Sequence, residues 1–363
     1  MLQPRLDVGQ PTDPTVEEIR EVRLGRVREA FSPIVYERSL TRALAGLVVD
    51  VALFAGAIAG VVISSASWAK LGFGLLAGIA VAFLFVWAHD AAHGALFQSE
   101  VVAEVLGTIA MAPSLSMYRL WVYGHNKVHH GFTSLSIVDW IWRPMTPDQY
   151  RVASRRARAV YRVERSIPGC ALHFIARVWW PGMVAYRGEP AIRRRYHFAR
   201  SKACTLAYVV VASLLAWTYA GGWIGVVSVV VLPWLVFTYF ISLFVYLHHT
   251  HPRLPFFDDR HRWNASIGQV ACSTLVRTSA PFEWLTHGIM LHTPHHVDAR
   301  IPFYRLPHAR RDLLAAGYGA HIVEYRFRWS TVRSIFRTCQ LFDFDQAVWY
   351  RFRDLPQIAP TGR

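Results

Sequence analysis

The residues most able to do chemistry in this chain are its histidines. There are seventeen in 363 residues, and most fall into four clusters. HDAAHG holds His89 and His93, and HNKVHHG holds His125, His129 and His130. HTPHH holds His292, His295 and His296, and YLHHTHP holds His248, His249 and His251. On an α-helix, residues i and i+4 share one face, with Cβ atoms about 5–6 Å apart. His89/His93, His125/His129 and His292/His296 therefore read as pairs, each aimed one way. The neighbouring histidine in His129-His130 and His295-His296 points about 100° away and can reach a second metal. Neutral imidazole is the commonest metal-binding side chain, and it suits zinc, copper, iron and nickel. One HxxxH by itself is weak, since surface pairs and haem ligands look the same. Three boxes together point to a metal site. A site so rich in nitrogen differs from the Glu/Glu-x-x-His sites of soluble di-iron bundles.

The elements that must position these boxes are apolar. Four segments are long enough to cross a bilayer, which takes about 20 predominantly apolar residues. They are 43–63, 71–88, 204–220 and 223–247. The first pair is linked by Ser64–Lys70 and the second by Gly221-Gly222. Box one follows the second span directly, and YLHHTHP follows the fourth. Between the pairs, Arg119–Lys202 carries 16 Lys/Arg against 4 Asp/Glu, which places it in the cytoplasm by the positive-inside rule. All four histidine clusters then share one membrane face. Val101–Ser116 is apolar but interrupted by Glu104 and Pro113, and reads as an interfacial or re-entrant helix. Gln269–Met290 reads as cytoplasmic or interfacial. The expected fold is all-α and integral to the membrane: four spans in two hairpins, capped by a cytoplasmic helical domain that holds a histidine-rich dimetal site. Residues 1–42 read as a cytoplasmic tail, 43–306 as the membrane domain and 307–363 as a cytoplasmic C-terminal segment.

Composition agrees. Hydrophobic residues make up 53% and charged residues 17%, against ~45–50% and ~25% for soluble domains. The net charge of +15 fits an anionic membrane surface or an acidic partner. No nucleic-acid-binding module accompanies it. Cys170, Cys204, Cys272 and Cys339 form no CxxC pair, which argues against a disulfide framework and a cysteine zinc site. The N-terminus lacks the apolar stretch of a signal peptide. His173, His197, His261, His308 and His321 stand alone and read as surface or core residues.

The boxes and their surroundings resemble the membrane fatty-acid desaturases, in particular the omega-type (methyl-end) acyl-lipid branch. That family is marked by HxxxH, HxxxHH and HxxHH, here HDAAH, HNKVHH and HTPHH. LWVYGHNKVHHGFTS resembles the second box in its context, and TLVRTSAPFEWLTHGIMLHTPHHVDARIPFYRL the third. YLHHTHP resembles the short motif after the fourth span. The likeness covers roughly residues 43–306. It implies nine metal ligands: His89, His93, His125, His129, His130, His249, His292, His295 and His296. Omega-type members usually carry glutamine and an acidic residue at His248 and His251, so which member of that trio binds is left open, with His249 favoured. His287 matches the histidine upstream of box three and reads as a supporting residue. Asp90, Asp139 and Asp298 lie close to the boxes in sequence and are candidates to orient imidazoles through their second ring nitrogen.

The resemblance implies two iron ions as cofactors, O₂ as co-substrate, and two electrons from a separate ferredoxin or cytochrome-type donor. It implies a fatty acyl substrate, bound to lipid, coenzyme A or a carrier protein, that gains a cis double bond. The aromatics Trp121, Tyr123, Trp140, Trp142, Phe282 and Trp284 could line an acyl tunnel or form an interfacial belt. The basic loop could dock an acidic donor or anionic lipid head groups. The expected setting is a bacterial inner membrane, with the active site on the cytoplasmic face. Three rivals stand beside this reading. One is a hydroxylase or ketolase of the same superfamily, and another is a membrane haem electron carrier. The third is a metal transporter, which calls for ionisable residues inside the spans, where only Asp50 qualifies.

Overall fold

A computed structural model describes residues 14–355. Among these residues, four helices are long and apolar enough to span a membrane: α1 (Leu40–Ile63), α2 (Ser67–Ala92), and two further on, α7 (Phe198–Tyr219) and α8 (Trp223–His249). Three of them contain an expected apolar segment whole, and α7 covers 204–220 up to its last residue while starting six residues earlier. Ser39 starts α1, its hydroxyl accepting from the Arg42 N–H, as an N-cap serine does. Lys70, expected in the link, lies inside α2, and its ammonium donates to the Val61 carbonyl 2.9 Å away. That carbonyl belongs to the last turn of α1, where a cation is favoured. Gly221 and Gly222 take φ of +88° and +67° in the turn between α7 and α8, a region side chains avoid.

Helix α2 is the central element. Its apolar window is 61% buried, against 17% for α7, so α7 leaves most of its surface exposed. Small residues let the neighbours of α2 come close. A Cβ on Gly74 would meet the Ser228 backbone at 2.7 Å, and one on Gly78 would meet Val236 at 2.5 Å. Trp87 on α2 donates its indole N–H to the Ala43 carbonyl of α1.

After α2 the chain forms α3 (Glu100–Met111), bends by 98°, and continues as α4 (Tyr118–His129). The bend passes through a 3-10 turn at Ala112–Ser114 and Leu115 at φ +52°. It carries box two back against the end of α2. Further on come α5 (Phe174–Ala185), which is π-helical, and the short α6 (Pro190–Arg195), which leads into α7.

The all-α expectation needs correction, because the chain is mostly but not wholly helical. Strand β1 (Thr274–Arg277) pairs in parallel with β2 (Val323–Arg326). Beyond box three, α9 (His292–Val297), and α10 (Trp329–Thr338), an antiparallel pair forms from β3 (Leu341–Asp343) and β4 (Val348–Tyr350). These strands are three or four residues long, and β1 finds its partner nearly fifty residues away, so periodicity gave no sign of them. They seal the cap. Tyr246 stacks on Phe336 at 4.0 Å, and Trp349 packs with Phe256 and Phe342.

The expected tail is packed where it is described, while residues 1–13 lie outside the described part. Ile19, Val27 and Val35 are fully buried. Arg28 donates to the Val297 carbonyl just after box three, and Asn264 donates to the Arg20 carbonyl.

Candidate metal centre

The histidine boxes meet where α2, α4, α8 and α9 converge. Their ring nitrogens fall into two groups, and within each group the nitrogens lie within 4.8 Å of one another. One group is His89, His93, His125, His130 and His295, and the other is His129, His249, His292 and His296. The nine histidines expected from sequence are thus all brought together. Facing Nε2 pairs stand 2.8 Å apart for His89 and His125, and 3.1 Å for His125 and His130. In the second group they stand 3.1 Å apart for His249 and His292, and 3.0 Å for His292 and His296.

Box two departs from the expected geometry. His125 and His129 were expected to share a face, but they belong to different groups. Residues Val122–His129 form a π-helix, and the His130 N–H bonds to the His125 carbonyl at 2.9 Å. The i→i+5 register of a π-helix brings His125 alongside His130 and turns His129 to the other group. Box three follows ordinary α-helical spacing: His292 and His296 share a group, and His295 points to the other.

The second ring nitrogens are held as well. His89 Nδ1 donates to Asp90 at 3.1 Å, and His129 Nδ1 donates to Asp139 at 3.0 Å. Each group therefore has one carboxylate behind it. Asp90 also accepts the Phe303 N–H, and Asp139 accepts those of Ser134 and Ile141, so neither is free to swing. His249 Nδ1 donates to the Cys272 carbonyl, and His296 Nδ1 bonds Gln269 Oε1 at 3.1 Å. Gln269 was not singled out in the sequence, since a lone glutamine far from a box leaves no pattern.

Asp298 corrects the expectation placed on it. Among the described residues it makes no hydrogen bond to a box histidine. It is held by Arg300 and Tyr36 and lies 3.7 Å from Arg28, fastening the N-terminal segment to the cap. His287 Nε2 donates to Asp50 Oδ2 at 2.6 Å, inside α1. Gly46 makes room for it, with a Cβ there only 3.1 Å from the His287 ring. The one ionisable residue that qualified for a transporter reading is thus held in a buried pair with His287. His248 stacks on His292 at 4.0 Å and His251 stacks on Tyr325; neither joins a group. His173 lies flat on Trp142 at 3.8 Å.

These residues fit divalent metal ions. Burial and the neighbouring imidazoles push His93, His130, His292 and His296 well below the usual histidine value, and His295 to about 3. Neutral rings offer lone pairs. His93 Nε2 and both nitrogens of His295 are buried without a hydrogen-bond partner, a costly arrangement unless something else binds them. Metal–imidazole bonds of about 2.0–2.1 Å put opposed nitrogens roughly 4.2 Å apart, which matches the spread within each group. A haem takes two opposed imidazoles around an open equatorial plane, whereas each group sets four or five ring nitrogens within 4.8 Å of one another.

An apolar cavity of about 490 Å³ reaches this centre from outside, lined by Leu120, Tyr123, Val128, Val178 and Met183 among others. A narrower one of about 50 Å³ adjoins it, lined by His89, His249, Trp142 and Phe174 among others. The two share Trp121, His125, His129, Ile141 and Val178. Of the six aromatics proposed for a tunnel, Trp121, Tyr123 and Trp140 line the outer cavity and Trp142 the inner one. Phe282 and Trp284 line neither.

The sequence profile named "Fatty acid desaturase" matches residues 66–329 of this chain. The chain belongs to the fatty acid desaturase family. Relatives within it include the sn-1 oleoyl-lipid 12-desaturase of Picosynechococcus sp., 27% identical over 343 residues, or 90% of this chain and 92% of that one. Another is the chloroplastic omega-6 fatty acid desaturase of Arabidopsis thaliana, 28% identical over 272 residues, covering 74% of this chain and 58% of the relative. A third is the sn-1 oleoyl-lipid 12-desaturase of Synechocystis sp., 28% identical over 273 residues, covering 73% and 74%. This desaturase-family chain is thus similar to omega-type enzymes, as its boxes imply, and it is a membrane oxidoreductase.

Proposed function

We propose that this protein introduces a cis double bond into the acyl chain of a membrane lipid, using two iron ions held by His89, His93, His125, His130 and His295 on one side and His129, His249, His292 and His296 on the other. The observation that carries the reading is that both nitrogen groups contribute walls to one apolar passage. A reactive centre and a chain-shaped cavity thus share Trp121, His125 and His129. Iron with O₂ would supply the oxidising power that drawing hydrogen from an unactivated methylene requires and that no side-chain acid or base has.

The chain's own residues do the rest. Trp121 stacks on His125 at 4.5 Å, fixing that ring and closing one side of the passage. Asp90 and Asp139 hold His89 and His129 in one tautomer and orientation. The narrow inner cavity takes one end of the chain, and its lining at Trp142 and Phe174 sets which carbons lie beside the imidazoles. Such registration decides where reaction falls. Desaturation also consumes two electrons and two protons per O₂, so a separate ferredoxin or cytochrome-type carrier is proposed as donor. The basic stretch Arg119–Lys202 supports two hairpins with the cap on the cytoplasmic face, in a bacterial inner membrane.

The test is expression of the wild type and a His129→Ala variant in a bacterial host that makes no such products, followed by gas chromatography–mass spectrometry of total acyl chains. A new unsaturated chain in the wild type alone is expected. A hydroxylated or keto chain would replace the desaturase reading with the oxygenase alternative. An unchanged profile, with protein and iron present, would exclude bulk lipid acyl chains as substrate.

A further inference from the structure

The basic segment that follows the cavity wall holds no metal ligand, yet it packs against Tyr123 and Tyr186 of the cavity. Helix α5 forms one wall through Val178, Pro181, Gly182 and Met183. Its outer side is apolar too, with Trp180 56% exposed, the habit of a helix lying at a membrane interface. Tyr186 ends the wall, and the next sixteen residues, Arg187–Lys202, hold 6 Lys/Arg and 1 Asp/Glu. Helix α6 lies within this stretch and buries no residue. Its Arg193, Arg194 and Arg195 are exposed, and among the described residues none of them forms an ion pair.

Contacts tie this cluster to the mouth. The Arg195 guanidinium lies 5.9 Å over the Tyr196 ring, and Tyr196 meets Tyr123 edge-on at 5.2 Å. Tyr123 lines the cavity. Lys202 donates to the carbonyls of Val184 and Tyr186, each at 3.0 Å, pinning the mouth to the first turn of the spanning helix α7. The arginines thus stand where a bilayer headgroup would sit while its acyl chain lies in the passage.

We propose that Arg193, Arg194 and Arg195 form a docking site for the phosphate of a net-anionic glycerolipid, which selects the substrate by its headgroup; this rests on the acyl-lipid reading above. Guanidinium groups bind phosphate by paired N–H donors, and basic residues beside an anionic membrane surface contribute about 1 kcal/mol each, roughly fivefold in affinity. The occupant comes from the bilayer rather than from solution. The wall beside the mouth is apolar on its outer side, and α7 exposes Leu206, Val210, Leu214 and Trp217 to lipid.

The experiment uses full-length protein in phosphatidylcholine nanodiscs, titrated with pyrene-labelled phosphatidylglycerol. Two triple variants lose equal charge: R193Q/R194Q/R195Q at the mouth and R155Q/R156Q/R333Q on exposed helices elsewhere. The expected result is a preference for phosphatidylglycerol over phosphatidylcholine that falls about tenfold or more in the first variant and stays nearly unchanged in the second. Equal losses in both variants, or none in either, would overturn the site. So would acyl-coenzyme A or an acyl-carrier protein displacing the labelled lipid as well as phosphatidylglycerol does. An unchanged lipid preference with weakened binding of an acidic redox protein would also overturn it. The readout needs no turnover, so a protein that failed the acyl-product test but kept this preference would lose the proposed activity and not the site.

Discussion

The candidate ligands differ in what stands behind them, and that difference sets what each supporting residue does. Asp139 accepts from His129 and from two backbone N–H groups, so its carboxylate is both anchored and aimed. Removing such a partner typically lowers metal affinity about 10–100-fold. Asp139→Ala is expected to lose iron to a chelator that much more readily than the wild type. Asp298→Ala, whose carboxylate serves Arg300 and Tyr36, is expected to keep its iron and unfold at lower temperature. Sequence proximity could not separate the two aspartates, because each lies close to a box and only the fold decides which way a side chain faces. The Asp50–His287 pair was equally hidden, since it joins residues 237 positions apart. Asp50→Ala leaves a buried ring nitrogen without its acceptor, at a cost of about 1–3 kcal/mol. Asp50→Asn, which keeps an acceptor, is expected to recover most of that loss in thermal unfolding.

At the scale of elements, the histidine spacing was legible and the local helix type was not. HxxxHH promises an i, i+4 pair, but four or five residues separate partners depending on whether the turn is α or π, and the letters are the same. The spans were legible because lipid exposure demands long apolar runs. Their ends were less so, as Lys70 shows by lying inside α2 and capping α1. The strands could not be read at all, because β1 and β2 are short and distant in the chain. Glycines on α2 mark its packed face. Gly78→Leu would drive a side chain into Val236 of α8, and overpacking of this kind costs about 1–3 kcal/mol. Gly72, whose Cβ would meet nothing within 4 Å, provides the control. Gly78→Leu is expected to lower the melting temperature in detergent, while Gly72→Leu is expected to leave it unchanged.

Over the whole molecule, two nitrogen groups lie at the ends of membrane-spanning helices, with an apolar passage running past both. The candidate metal centre was legible from the spacing of the histidine clusters and their place at the ends of apolar runs, since buried imidazoles without partners are costly unless something binds them. The passage was not, as it is bounded by α4, α5 and α8, which meet only in three dimensions. The central claim is that the nine histidines form two separate metal sites rather than one. Its most direct test is iron per chain by inductively coupled plasma mass spectrometry, on purified wild type, His93→Ala and His296→Ala reconstituted with ferrous iron. The account expects about two irons in the wild type and about one in each variant, since His93 and His296 belong to different groups and structural affinity follows the ligand set. A wild type that binds about one ion, or variants that keep the full complement, would contradict it.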